Sequence, residues 1–168
     1  TADAGSYTKV KDMFVGNVRA KNGGLAYVHN SSVEMEDLSV TNCEAEIYGG
    51  LMLVEMTSRV KIRGGTILDV ASGVDGGGFY IKGHSFASLD NLQGISFVTQ
   101  RRGGFAYVTE ASELSLTQSS MASCSVQESG GFVHSTQSSR VHLQTSTVSI
   151  TKSGDVGGSI ALYDDSKL

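Results

Sequence analysis

Short, mostly apolar runs recur along this chain, each directly behind a pair of glycines. Gly23-Gly24 precede residues 25–28, Gly49-Gly50 precede 51–54 and Gly77-Gly78 precede 79–82. Gly103-Gly104, Gly130-Gly131 and Gly157-Gly158 do the same for 105–108, 132–135 and 159–162. Counted between the second glycines, the steps are 26, 28, 26, 27 and 27 residues. A second landmark keeps pace, an apolar-x-apolar element such as Val33-x-Met35, Val60-x-Ile62, Leu114-x-Leu116 and Val141-x-Leu143. Alternation with period two is the pattern of a half-buried strand. A third landmark follows as Phe14/Asn17, Val40/Cys43, Ile67/Val70, Ile95/Val98, Met121/Cys124 and Val148/Thr151. Each unit thus reads as three short strands separated by Gly, Ser, Asn and Asp turns, with no stretch of helical spacing.

Units of constant length without crossover helices close their hydrogen bonds by stacking, each unit making one turn of a solenoid. The expected fold is all-β, a single-stranded right-handed parallel β-helix of about six coils of ~27 residues, filling residues 1–168 as one domain; the hand rests on the crossover rule together with the repeat resemblance given below. At ~4.8 Å per coil such a rod stands ~29 Å tall. Leu25, Leu51, Phe79, Phe105 and Phe132 follow the doublets and are expected as an inward ladder, together with Tyr27, Leu53, Ile81, Tyr107, His134 and Ala161 two places on; the alternative face, Ala26/Val28 and Ala106/Val108, is nearly as apolar but also holds Lys82 and Ser135, which an interior penalises. The doublets themselves, Gly23, Gly24, Gly49, Gly50, Gly77, Gly78, Gly103, Gly104, Gly130, Gly131, Gly157 and Gly158, read as structural corners. A strand follows each pair, whereas a phosphate-binding glycine loop needs a helix there.

Composition narrows the function. The 168 residues carry 13 Lys+Arg against 17 Asp+Glu, a net charge of −4, which argues against nucleic-acid binding and a polybasic membrane surface. No apolar run approaches the ~20 residues of a membrane-spanning helix, so no membrane insertion by this segment is expected. With 21 Gly and no Pro, nearly every residue retains a backbone donor for a ladder.

Phe14-Val-Gly-Asn17, followed by Asn22-Gly23-Gly24-Leu25-Ala26-Tyr27-Val28, resembles the paired FxxN and GGA[ILV] repeats of polymorphic outer-membrane proteins, within the pectin-lyase-like right-handed β-helix class. Later units depart from it, with Cys43, Val70, Val98, Cys124 and Thr151 in place of the Asn. The resemblance implies the architecture and an extracellular or cell-surface habit as a passenger or adhesin. It implies no particular ligand.

The acids do not converge as a carbohydrate-cleaving pair or a calcium cluster. A turn column places Arg101 between Asp75 and Glu128 as an ion-pair ladder on an exposed edge, decoration by its energetics. His29, His84, His134 and His142 fall in different columns, with no metal constellation or triad. Cys43 and Cys124 share a column three coils apart, ~14 Å, too far for a disulfide. Asn30-Ser31-Ser32 is an N-glycosylation sequon in a turn, which makes Asn30 the candidate for a covalent glycan, and the Ser and Thr between residues 112 and 153 read as solvated strand and turn positions. No catalytic residue, cofactor or metal site is expected. The functional expectation is a structural, non-catalytic extracellular or cell-surface solenoid, a segment of a longer protein or a protomer that self-associates end to end into a rod or filament. The alternative is an adhesin or glycan-binding passenger domain, with a carbohydrate-active enzyme behind it.

Overall fold

The computed structural model describes residues 5–168, which form fourteen strands and no helix. In chain order these are β1 (Tyr7–Asn22), β2 (Ala26–His29), β3 (Ser32–Tyr48), β4 (Met52–Glu55), β5 (Arg59–Ser72), β6 (Phe79–Ile81) and β7 (Phe86–Thr99). Then come β8 (Ala106–Val108), β9 (Glu113–Thr117), β10 (Ser120–Val126), β11 (Val133–Ser135), β12 (Arg140–Gln144), β13 (Thr147–Lys152) and β14 (Ile160–Leu162). All pairing is parallel and between equivalent strands of successive coils. The short strands stack as β2-β4-β6-β8-β11-β14 and the long ones as β1-β3-β5-β7-β10-β13, with β9 joining β7 to β12. This is the parallel β-solenoid of about six turns that the repeat predicts.

In the early coils the second and third of the three expected strands run together as one long strand, while the later coils keep all three. Each long strand turns two corners on single left-handed residues without breaking its ladder. These form two columns, Asp12, Asp37, Gly64, Asn91, Gln118, Thr145 and Asn17, Asn42, Asp69, Ser96, Ser123, Ile150, with φ between 48° and 71°. Asp, Asn and Gly tolerate that region best, which is why they dominate the early coils. Beside the first corner, Leu38, Gly65 and Leu92 give way to Ser119 and Ser146. The Leu92 N–H donates to Ser119 Oγ and the Ser119 N–H to Ser146 Oγ, so side chains replace ladder carbonyls and the strand divides into β9/β10 and β12/β13.

The glycine corner corrects the register in one coil. The left-handed residues are Gly23, Gly49, Gly76, Gly103, Gly130 and Gly157, so the true pair in the third coil is Gly76-Gly77, and the steps become 26, 27, 27, 27 and 27. A Cβ on Gly23 would strike the Ala26 carbonyl oxygen, and one on Gly50 the Gly77 carbonyl of the coil beneath. Gly78 therefore stands between Leu51 and Phe105, accepting from the Leu51 N–H and donating to the Phe105 carbonyl. Phe79 moves to the next column, between Met52 and Ala106. The expected ring ladder persists by contact: Phe79 meets Phe105 edge-on at 5.4 Å and Phe105 stacks on Phe132 at 5.1 Å. Leu51, Phe79, Phe105 and Phe132 are fully buried, and Leu25 packs half-buried against the same core.

The volume missing at Gly78 is filled from across the core. Phe97 lies 4.9 Å from Phe105 at 87°, and its ring would sit 3.2 Å from a Cβ on Gly78 and 2.7 Å from one on Gly94. Two empty positions thus accommodate one large ring, which is how a close-packed interior conserves volume. The same register shows where the third landmark fails. Val15 and Val18 occupy the inward places expected for Phe14 and Asn17, and Gly94 and Phe97 those expected for Ile95 and Val98. Phe14 is 82% exposed, Ile95 50% and Val98 46%.

On the short-strand wall the inward columns are Ala26/Met52/Phe79/Ala106/Val133 and Val28/Val54/Ile81/Val108/Ser135. The expectation that Tyr27, Leu53, Tyr107, His134 and Ala161 point inward is overturned. With the register set on Gly76-Gly77, Tyr80 replaces Ile81 in that column, Lys82 leaves the other, and period-two alternation sends the tyrosines outward.

Candidate functional site

Ring stacking dominates the outer face of the short-strand wall. Tyr48, Tyr80, Tyr107, His134 and Tyr163 follow one another with centroids 4.6, 5.0, 5.2 and 5.0 Å apart. Tyr80, Tyr107 and His134 occupy equivalent positions of successive parallel strands, one rung apart, while Tyr48 and Tyr163 extend the stack from neighbouring columns at its two ends. Arg102 lies over the Tyr107 ring at 4.6 Å and grips the buried Asp75 through two hydrogen bonds, Nε to Oδ1 at 3.0 Å and Nη2 to Oδ2 at 2.9 Å. That pair replaces the expected ladder: Arg101 follows Val74 in its column and pairs with Glu128 alone, at 3.4 Å. His134 shares a hydrogen bond with Ser129 through Nδ1 at 2.8 Å. Burial, with Arg102 nearby, pushes its pKa down to about 4, so it is neutral at pH 7.

Beside this stack Glu55 gathers three partners. Tyr27 donates its hydroxyl to Glu55, His29 Nδ1 lies 3.1 Å from the carboxylate and Lys82 Nζ 2.9 Å. Burial pushes the Glu55 carboxyl up, but the hydrogen bonds from Tyr27, Lys82 and His29 outweigh it and the net shift is down. The bond to Glu55 raises the Tyr27 hydroxyl to about 12. A carboxylate so saturated is an anchor for its neighbours and a poor proton acceptor for a substrate.

The wall formed by β1, the first halves of β3, β5 and β7, then β9 and β12 is charged in rows. Lys9 and Lys11 in the first coil face Glu34 and Glu36 in the second, then Arg59, Lys61 and Arg63 in the third. Lys9 bonds Glu36 at 3.0 Å and Arg63 bonds Glu34 at 2.7 Å. Small Ser32 lies between Tyr7 and Arg59 in one column, leaving a depression of about 310 Å³ that Glu34, Lys61 and Phe86 also line. A second depression, about 380 Å³, lies on the other side of Arg59 and Phe86, against His84 and Glu113.

A polar ladder unforeseen from the sequence holds the corner behind that wall. Ser31, Ser58, Ser85, Ser112 and Ser139 are buried, and each of the first four donates its N–H to the hydroxyl of the next at 3.1–3.2 Å. The signal was present as serine at an unvarying interval of 27 residues from Ser31 to Ser166. The expectation of solvated serines after residue 112 holds for Ser120, Ser138 and Ser149, which are exposed, and is corrected for Ser112, Ser119, Ser129, Ser135 and Ser139, which are buried.

Asn30 is exposed, at φ 46° in the turn between β2 and β3. Cys43 and Cys124 are buried free thiols whose pKa values burial raises to about 11 and about 12. Among the described residues no group of three or more His, Cys, Asp or Glu side chains is placed to hold a metal ion. No family model, curated protein or solved structure matches this chain.

Proposed function

We propose that the chain is a non-catalytic structural section of an extracellular or cell-surface rod, extended by end-to-end stacking of further coils. The observation carrying this reading is the uniformity of the coil. After the first, every step is 27 residues, no loop insertion builds a cleft among the described residues, and the glycine corner and serine ladder recur from turn to turn. Another turn adds to such a lattice with nearest-neighbour interactions alone. Surface placement rests on the repeat resemblance and on the exposed sequon at Asn30.

Self-stacking has a definite electrostatic signature. The column Arg19–Glu44–Ala71–Val98–Ser125–Lys152 would continue from Lys152 to the Arg19 of a second copy. Like charges meet, so stacking is weak at low ionic strength and strengthens as salt shortens the Debye length from ~30 Å at 0.01 M to ~3 Å at 1 M. Analytical ultracentrifugation and negative-stain microscopy across that range should find particles lengthening in ~29 Å increments. Short monomers at every salt and protein concentration would overturn the stacking, and depolymerisation of a polysaccharide would overturn the non-catalytic reading. A glycan-binding passenger is the weaker reading, because the rings that would form a sugar platform are spent on one another at 4.6–5.2 Å.

A further inference from the structure

Across the third to fifth coils, every Lys and Arg is paired except two on β5. Arg63, Lys82, Arg101 and Arg102 each hold a carboxylate, whereas Arg59 and Lys61 make no ion pair among the described residues. Both are exposed on β5, two residues apart and hence on the same outer face. Half-exposed Phe86 stands one rung below Arg59, and Tyr7, 62% exposed, two rungs above it across Ser32. The two depressions of about 310 and 380 Å³ open on either side of the Arg59–Phe86 rung.

We propose that this face docks an extended acidic segment of a partner protein, carrying carboxylates two residues apart over Arg59 and Lys61 and apolar side chains in the flanking depressions. Spacing favours this occupant. Cations at i and i+2 of a strand project ~6.6 Å apart, the interval at which an extended peptide presents alternate side chains. The fold already uses that match within itself, since Glu34 and Glu36, also two residues apart, take Arg63 and Lys9 from the coils on either side. Arg59 adds a planar fork suited to a carboxylate, and Phe86 offers an apolar surface beside it. This inference is independent of the stacking reading and is read out on the monomer.

The test uses fluorescence anisotropy with a labelled Glu-Val-Glu-Val-Glu peptide and a control of identical composition with its three glutamates contiguous. Expected is preferential binding of the alternating peptide, weakened by added salt. Arg59→Gln with Lys61→Gln should weaken it at least fivefold, the middle of what two exposed ion pairs together contribute. Lys152→Gln, on another wall, should leave it unchanged. Circular dichroism verifies that each variant keeps the solenoid. Equal binding of both peptides, no loss in the double variant, or preferential binding of a heparin fragment to the same residues would each overturn the proposal.

Discussion

His134 makes the fold acid-sensitive, and the size of the effect follows from its surroundings. It is 5% exposed, held between Tyr107 at 5.2 Å and Tyr163 at 5.0 Å, and hydrogen-bonded to Ser129. Desolvation acts first and the Arg102 charge second to lower its pKa to about 4, with Asp164 opposing. In the unfolded chain the imidazole titrates near ~6.5. Between those values the unfolded state binds the proton and the native state does not, so stability falls as pH drops from ~6.5 toward ~4. At 1.36 kcal/mol per unit, the loss attributable to this group reaches up to about 3 kcal/mol. His134→Tyr, the residue found at the two preceding rungs, removes the titration while keeping a ring in the stack. Urea denaturation followed by circular dichroism at pH 7, 5.5 and 4 should give a steeper stability loss for the natural chain than for the variant. Parallel pH dependences in the two proteins would refute the reasoning, as would a His134 imidazole that titrates near 6.5 by NMR in the folded state.

Two further outcomes follow from the ladders. Ser85→Ala removes the acceptor of the buried Ser58 N–H. It should cost about 1–3 kcal/mol, measured by the same denaturation at pH 7, with nearby surface serines such as Ser88 as neutral controls. Ser135 is fully buried between Val108 and Leu162 in the column Val28/Val54/Ile81/Val108, and its hydroxyl has no hydrogen-bond partner among the described residues. Ser135→Val should therefore stabilise the protein by about 1–2 kcal/mol, and a destabilised variant would show that the column lacks room for the extra methyl.

The period of the solenoid was legible because glycine doublets cannot be replaced at a corner whose Cβ space is filled by carbonyls. Phase within the period was harder to read. Three consecutive glycines, Gly76 to Gly78, admit two choices of pair, and the wrong one carries Phe79 into its neighbour's column and turns the tyrosine stack inward. Around the long strand, Asp12 and Asn17 each insert a left-handed residue, so counting by twos loses its place at every such corner. That is how the third landmark came to include Phe14 when Val15 is the residue that stands beside Val40. The serine ladder escaped notice for a different reason: serine carries no hydrophobic signal, and its role shows only when equivalent coils are laid over one another. The outer-face contacts around Glu55 and Arg102 depend on side chains from different coils and leave no local trace in the chain.

The alternating charged rows constrain how such a chain can evolve by repeat gain and loss. Excising the second coil would lay Lys9 against Lys61 and Lys11 against Arg63, replacing attraction with repulsion along a whole wall. Excising the second and third together would bring the basic first row onto Ser88 and Asp90 of the fourth and keep the signs compatible. Loss of a single repeat is therefore constrained by charge among the first three coils, whereas the later rungs of the same columns, Ser88–Ser115–His142 and Asp90–Thr117–Gln144, impose no such limit on a geometry that would accept any number.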